Sequence, residues 1–196
     1  MVKRDFFHGG ETRLEGKSVR YRTPRPAVKD GIVYVTEDRK IEGFFETKSI
    51  AENIYLNYLA SDRGAGMIVS RTEMVDLAKR WTDKLAVRAI DNAASVIELS
   101  GGNQQKVVIA RSLVQEPKLV IFDEPTRGVD VGAIAELHRV INELADSGLA
   151  VVVISSYLPE ILNLSDRILV SRQGRIVEEF SMDEATEEKI MYAAVH

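Results

Sequence analysis

The sequence predicts an α/β fold: a mainly parallel sheet with flanking helices and an inserted helical subdomain. Three observations carry that prediction. Leu119-Val120-Ile121-Phe122 and Leu149 to Ile154 are uninterrupted apolar runs of strand length, which is how strands inside a parallel sheet read. Ile32-Val33-Tyr34-Val35, opened by Gly31, is a third run, β-branched and aromatic. Helix-periodic segments separate the three, and strand–helix–strand alternation builds a parallel sheet with right-handed crossovers.

Taken in order, Gly10 to Tyr21 alternates weakly around Leu14-Glu15-Gly16 and reads as a short hairpin. Lys17, Arg20, Arg22, Arg25 and Lys29 cluster after it as a solvated strand-and-turn face. From Ser49 the period becomes helical. Ile50, Ile54, Leu56 and Leu59 suggest one helix, and Val75, Leu77, Ala78 and Trp81 another, with Gly64-Ala65-Gly66 as the break. The helix over 104–115 stops at Glu116-Pro117, and one over 131–145 stops at Ser147-Gly148. The run 149–154 predicts a strand covered on both faces. A short helix over 159–164 follows. Strands over 167–171 and 175–179 then turn at Gln173-Gly174, and a last helix begins near Asp183.

At 196 residues, 45% hydrophobic and 29% charged, the chain can bury one substantial core. The net charge of −4 argues against a general nucleic-acid binder. No apolar run approaches the roughly 20 residues of a membrane span, so direct membrane insertion is not expected. With no cysteine there are no disulfides or thiolate metal sites. His8, His138 and His196 share no metal-ligand spacing, and His138 is expected on a helix surface.

Two stretches carry chemistry. Ser100-Gly101-Gly102 opens a helix, so close-approaching backbone N–H groups, a hydroxyl donor and the helix dipole converge where a phosphate could sit. Further on, the strand 119–122 ends in Asp123-Glu124, two carboxylates of the kind that serve as a Mg²⁺ ligand and a water-activating base. The plainer alternatives are a capped helix start and a helix-capping acidic turn.

The two stretches resemble the signature motif and Walker B strand of ATP-binding cassette (ABC) proteins. Glu124-Pro125-Thr126-Arg127-Gly128-Val129-Asp130-Val131-Gly132, Glu37-Asp38-Arg39-Lys40 and Asn103, in place of the usual Gln, narrow the likeness. It is to the second nucleotide-binding domain of carbohydrate importers of the ribose, galactose and xylose type, from about Gly10 to the C-terminus. The resemblance implies a P-loop NTPase-like fold and the cofactors ATP and Mg²⁺. It implies that Ser100, Gly101, Gly102, Asn103 and Gln105 complete, in trans, an ATP site on a second cassette. Asp123 would hold Mg²⁺ through water and Glu124 would orient or deprotonate the attacking water. Glu37, Asp130 and Ser156 would lie on coupling loops, with the N-cap of the helix from Val131 an equal and compatible role for Asp130. Permease transmembrane subunits would be further partners, placing the chain on the cytoplasmic side, peripheral to the plasma membrane.

Departures from the pattern accompany the likeness. Glu37 stands where most cassettes have Gln, and Ser156 where a His contacts the γ-phosphate; a hydroxyl cannot carry an imidazolium's charge. Gly16-Lys17-Ser18 is the nearest thing to a phosphate loop. Glu11 stands where that loop needs glycine, and Glu15 would repel the ligand. The chain is therefore expected to be a partial nucleotide-binding domain over 1–196, N-terminally incomplete, with the helical subdomain at 46–98. In the related fold the missing strand lies between those at 149–154 and 168–171, so an open edge and a bare apolar face are expected. No ATP turnover is expected of the isolated chain. A non-catalytic interaction fragment is the alternative. A chromosome or DNA-repair ATPase would need flanking heptad coiled coils, which the sequence lacks.

Overall fold

A computed structural model describes residues 10–61 and 70–196. The Gly64-Ala65-Gly66 break and His8 lie outside the described residues. Strands β1 (Thr12–Leu14) and β2 (Lys17–Val19) form the first hairpin. Its two turn residues, Glu15 and Gly16, both have positive φ, the two-residue turn whose twist matches paired antiparallel strands. Lys17 thus starts a strand, and nothing about 16–18 is a phosphate-holding loop.

Helix α1 (Pro24–Lys29) corrects the strand-and-turn expectation for the basic stretch. Proline at the first helical positions has the φ a helix needs and lacks only an N–H that would have gone unpaired. Strand β3 (Ile32–Val35) follows, then a π-helical turn over Arg39–Gly43 capped by Asp38, whose carboxylate accepts from the N–H groups of Lys40 and Ile41. Helix α2 (Ile50–Ala60) starts with a reciprocal capping box between Ser49 and Glu52. Helix α3 (Arg71–Lys84) starts at Ser70. Leu56 and Val75, expected on the apolar stripes of these helices, are exposed; Ile50, Ile54, Tyr55, Leu77 and Trp81 are buried.

Helix α4 (Gly101–Leu113) leads into β4 (Leu119–Asp123), α5 (Val131–Asp146) and β5 (Ala150–Ile154). The parallel sheet has three strands in the order β3-β4-β5. Its register stacks Val33, Val120 and Val151 in one row and Val35, Phe122 and Val153 in the next. These rows face the core, against α4 and α5, with α2 and α3 packed behind α4. Helix α6 (Leu158–Leu164), the hairpin β6 (Arg167–Arg172) and β7 (Arg175–Ser181), and α7 (Glu187–Val195) form a second, smaller cluster around Ile168, Val170 and Ile190.

The opposite face of the sheet corrects the expectation of two-sided cover. Tyr34, Ile121 and Val152 share a row there, and Val152 and Ile154 are 45% and 49% exposed. Among the described residues β5 pairs only with β4. The continuous apolar run therefore has the composition of a two-sided strand while its outer face meets solvent, in agreement with the bare apolar face that the resemblance implies.

His138 corrects a further expectation. It lies on α5, only partly exposed, with Nε2 3.1 Å from Oε1 of the fully buried Glu160 of α6.

Candidate functional site

The C-terminal ends of the parallel strands gather the carboxylates. Along β4 the core takes Val120 and Phe122, so Asp123 emerges on the bare side, opposite Ile154 in register. From the neighbouring strand Tyr34 donates its hydroxyl to Asp123 Oδ2. Desolvation, then this hydrogen bond and the Asp123 charge, push the Tyr34 hydroxyl up to about 12, so it remains a donor at neutral pH.

Glu124 leaves the strand in the left-handed region, φ +47°, a conformation that costs a non-glycine residue about 1–2 kcal/mol. Its own N–H donates to Ile154 O at 2.8 Å, and its Oε1 accepts from the Ser156 N–H at 2.8 Å. The chain is bent where the second carboxylate must turn back over the sheet end. The loop after β5 is joined to Glu124 through the Ser156 backbone.

The tip of α4 lies across from this edge. Ser100 occupies the N-cap position with its hydroxyl exposed, and Oγ accepts from Asn103 Nδ2 at 3.0 Å instead of capping a backbone N–H. Asn103 Oδ1 in turn accepts from the Arg88 N–H at 2.8 Å. The glycines have a packing reason of their own. A Cβ on Gly101 would lie 2.8 Å from Gly128 O and 2.9 Å from an Arg39 nitrogen, and one on Gly102 would lie 2.7 Å from the Ala133 Cβ. Gln105 is 2% exposed, so its side chain does not share the outward exposure of Ser100.

One turn further on, the buried Lys106 ammonium donates to Ala86 O at 3.0 Å and pairs with Glu136 at 2.8 Å. That ammonium, and behind it Arg88, hold the Glu136 carboxyl below its ordinary range.

Arg39, which the sequence offers only as part of a resemblance, joins edge and tip. Its Nη1 donates to Arg127 O at 2.6 Å, Nη2 to Gly128 O at 2.7 Å, and Nε to Gln104 Oε1 at 3.3 Å. Glu37, two residues earlier, forms an ion pair with Arg127. The structure therefore brings Glu37, Asp123, Glu124 and Ser156 to one end of the sheet. It ties that end to Ser100, Gly101 and Gly102 through Arg39. Asp130 occupies the exposed N-cap position of α5, with no hydrogen bond from its side chain to the cap. Tyr34, Arg39 and Gln104 are the site residues that sequence reasoning did not single out.

Among the described residues no cluster of three acidic or histidine side chains could cage a metal ion. A magnesium ion needs only one or two carboxylates when water and phosphate supply its other oxygens, a requirement that Asp123 or Glu124, adjacent in the chain, could meet. No helix among the described residues is long and apolar enough to cross a membrane.

Residues 4–127 match the family described as ABC transporter. The chain is 50% identical over 186 residues to the ribose import ATP-binding protein RbsA 2 of Rhizobium etli, covering 94% of this chain and 36% of that protein. It is 46% identical, with the same two shares covered, to the xylose import ATP-binding protein XylG of Thermoanaerobacter pseudethanolicus. It thus spans about a third of the length of these curated relatives. In fold it is similar to MJ1267, an ATP-binding cassette of an ABC transporter, with a TM-score of 0.79 at 23% identity, over 96% of this chain and 78% of that one. With the family matched over most of the sequence and the cassette fold around it, this chain belongs to the ABC transporter family.

Proposed function

We propose that the chain is part of the ATP-binding subunit of an ABC importer for sugars of the ribose and xylose type, and that it acts by completing a nucleotide site on a partner cassette. The observation that carries this reading is the exposed, firmly held tip of α4, where Ser100 faces outward while the glycines beside it are packed from behind. The N–H groups of the first turn have no intrahelical acceptor, and they would meet the terminal phosphate of an ATP bound by the partner. Asn103 fills an acceptor position on Ser100 Oγ and so leaves the hydroxyl proton to point at that phosphate.

On the chain's own edge, Asp123 would hold Mg²⁺ through water, and the ion would neutralise phosphate charge. Glu124 would orient the attacking water and accept its proton, with Ser156 N–H fixing the carboxylate. Glu37 and Asp130 serve as coupling positions beside Arg127 and α5. The helices within 46–98 form a subdomain that docks permease subunits, which place the chain on the cytoplasmic side of the membrane.

A second reading, an interaction fragment without turnover, draws support from the glycines, since packing within the chain already explains why they lack side chains. Turnover separates the two. Added to a complete cassette of a ribose importer, the chain is expected to raise Mg²⁺-dependent ATP hydrolysis, and Ser100→Arg to abolish the increase. The chain alone is expected to hydrolyse no ATP above background. No stimulation by the parent chain would favour the second reading. Hydrolysis by the chain alone that Glu124→Gln removes would refute the in-trans assignment.

A further inference from the structure

Arg39 is an unusual residue to bury. It is 8% exposed, its guanidinium donates to three neutral carbonyl-type oxygens, and burial draws it below the ordinary value against the opposing pull of the Asp38 charge. Burying a cation against neutral acceptors is unfavourable where an apolar side chain would fill the same space. The compensation lies in geometry, because the planar fork spans the successive carbonyls of 127 and 128 while Nε points away at Gln104.

Gln104 passes the connection on. While Oε1 accepts from Arg39, Nε2 donates to Ile97 O at 3.3 Å and to Leu99 O at 3.1 Å, the backbone that enters Ser100. Gly101 sits so close to both Gly128 O and Arg39 that a methyl group would displace one of them. Arg39 thus touches the segment leaving Glu124 and the first turn of α4, and through Gln104 it is joined to the segment entering Ser100.

We propose that Arg39 is a positioning residue that binds the 127–128 backbone to the start of α4, so that the carboxylate edge and the glycine tip keep one fixed separation. This rests on the nucleotide reading for its purpose, since each face would serve a different ATP in a pair of cassettes. A clamp between the faces makes the two sites report on each other. Lysine cannot replace the fork: it offers one point charge in place of three directed donors.

Amide hydrogen exchange on the chain alone tests the clamp without nucleotide or partner, so its outcome is independent of the nucleotide reading. Two reporters flank Arg39: Val129 N–H, bonded to Thr126 O at 3.1 Å, and Gln104 N–H, bonded to Ser100 O at 2.9 Å. Arg39→Lys is expected to speed exchange at both by ~10-fold or more while β4 amides stay protected, as local opening requires. Gln104→Ala, which removes one arm only, is expected to free the first turn of α4 and leave Val129 protected. This second variant also tests the clamp should Arg39→Lys fail to fold. Unchanged exchange, loosening on one side only in Arg39→Lys, or loosening of Val129 in Gln104→Ala would overturn the proposal. With the complete cassette, Arg39→Lys is expected to lower kcat by ~10-fold or more and leave KM, as misplacement of a non-reacting group does. A loss confined to KM would count against positioning.

Discussion

Tyr34 and Asp123 show what one hydrogen bond does at this site. The Tyr34 hydroxyl satisfies Oδ2 and, held near 12, cannot become a second anion beside it. Glu136 offers a residue-scale prediction with a definite sign. Lys106 depresses its folded-state value below the ordinary 4.5, so the pair's stabilisation is present above that value and is lost as pH falls through the depressed one. Thermal melts should therefore show a lower Tm for Glu136→Gln than for the parent at pH 7, and the gap should close as the solution is acidified. A gap that widens in acid would contradict the assignment. Asp123, Glu124 and Ser100 were legible because carboxylates ending an apolar strand and a Ser-Gly-Gly turn are local patterns. Arg39 was not, because its partners stand 65 to 89 residues away and its own segment has no periodicity.

At the scale of elements, α4 is placed by what its glycines permit. Gly102→Ala would press a methyl group against Ala133 and is expected to destabilise the fold by about 1–3 kcal/mol. Gly132→Ala, in the first turn of α5 with nothing within 4 Å, is expected to stabilise by about 0.4–1 kcal/mol through the unfolded chain. Urea denaturation of the two variants checks this; equal losses would mean that close packing at Gly102 is not the cause. Most elements could be read from period and punctuation, such as α2 from Ser49 and Glu52, and β4 from its four apolar residues. Helix α1 could not, since Pro24 and Pro26 in a basic stretch look like turn residues unless the missing N–H of a helix start is considered. The bare outer face of β5 was legible only through the resemblance, because composition alone pointed to a covered strand. Strand composition records the surroundings a strand is suited to, and Val152 and Ile154 suit a covered face while standing exposed.

At the scale of the whole chain the dominant feature is that bare face beside a strand edge, β5, that has no second partner among the described residues. Tyr34, Val152 and Ile154 form an apolar surface in register with the core of the same sheet. Such a surface with an unpaired edge promotes self-association. Sedimentation should show concentration-dependent association of the chain, reduced by Val152→Lys with Ile154→Lys. A monomer that melts cooperatively at high temperature would contradict this picture. Association through that face would need no nucleotide, whereas the proposed association through Ser100 would. The most direct measurement is therefore sedimentation of the chain with a complete ribose-importer cassette, with and without ATP. A complex that forms only with ATP and is lost in Ser100→Arg is predicted; one indifferent to either ATP or Ser100 would contradict the account.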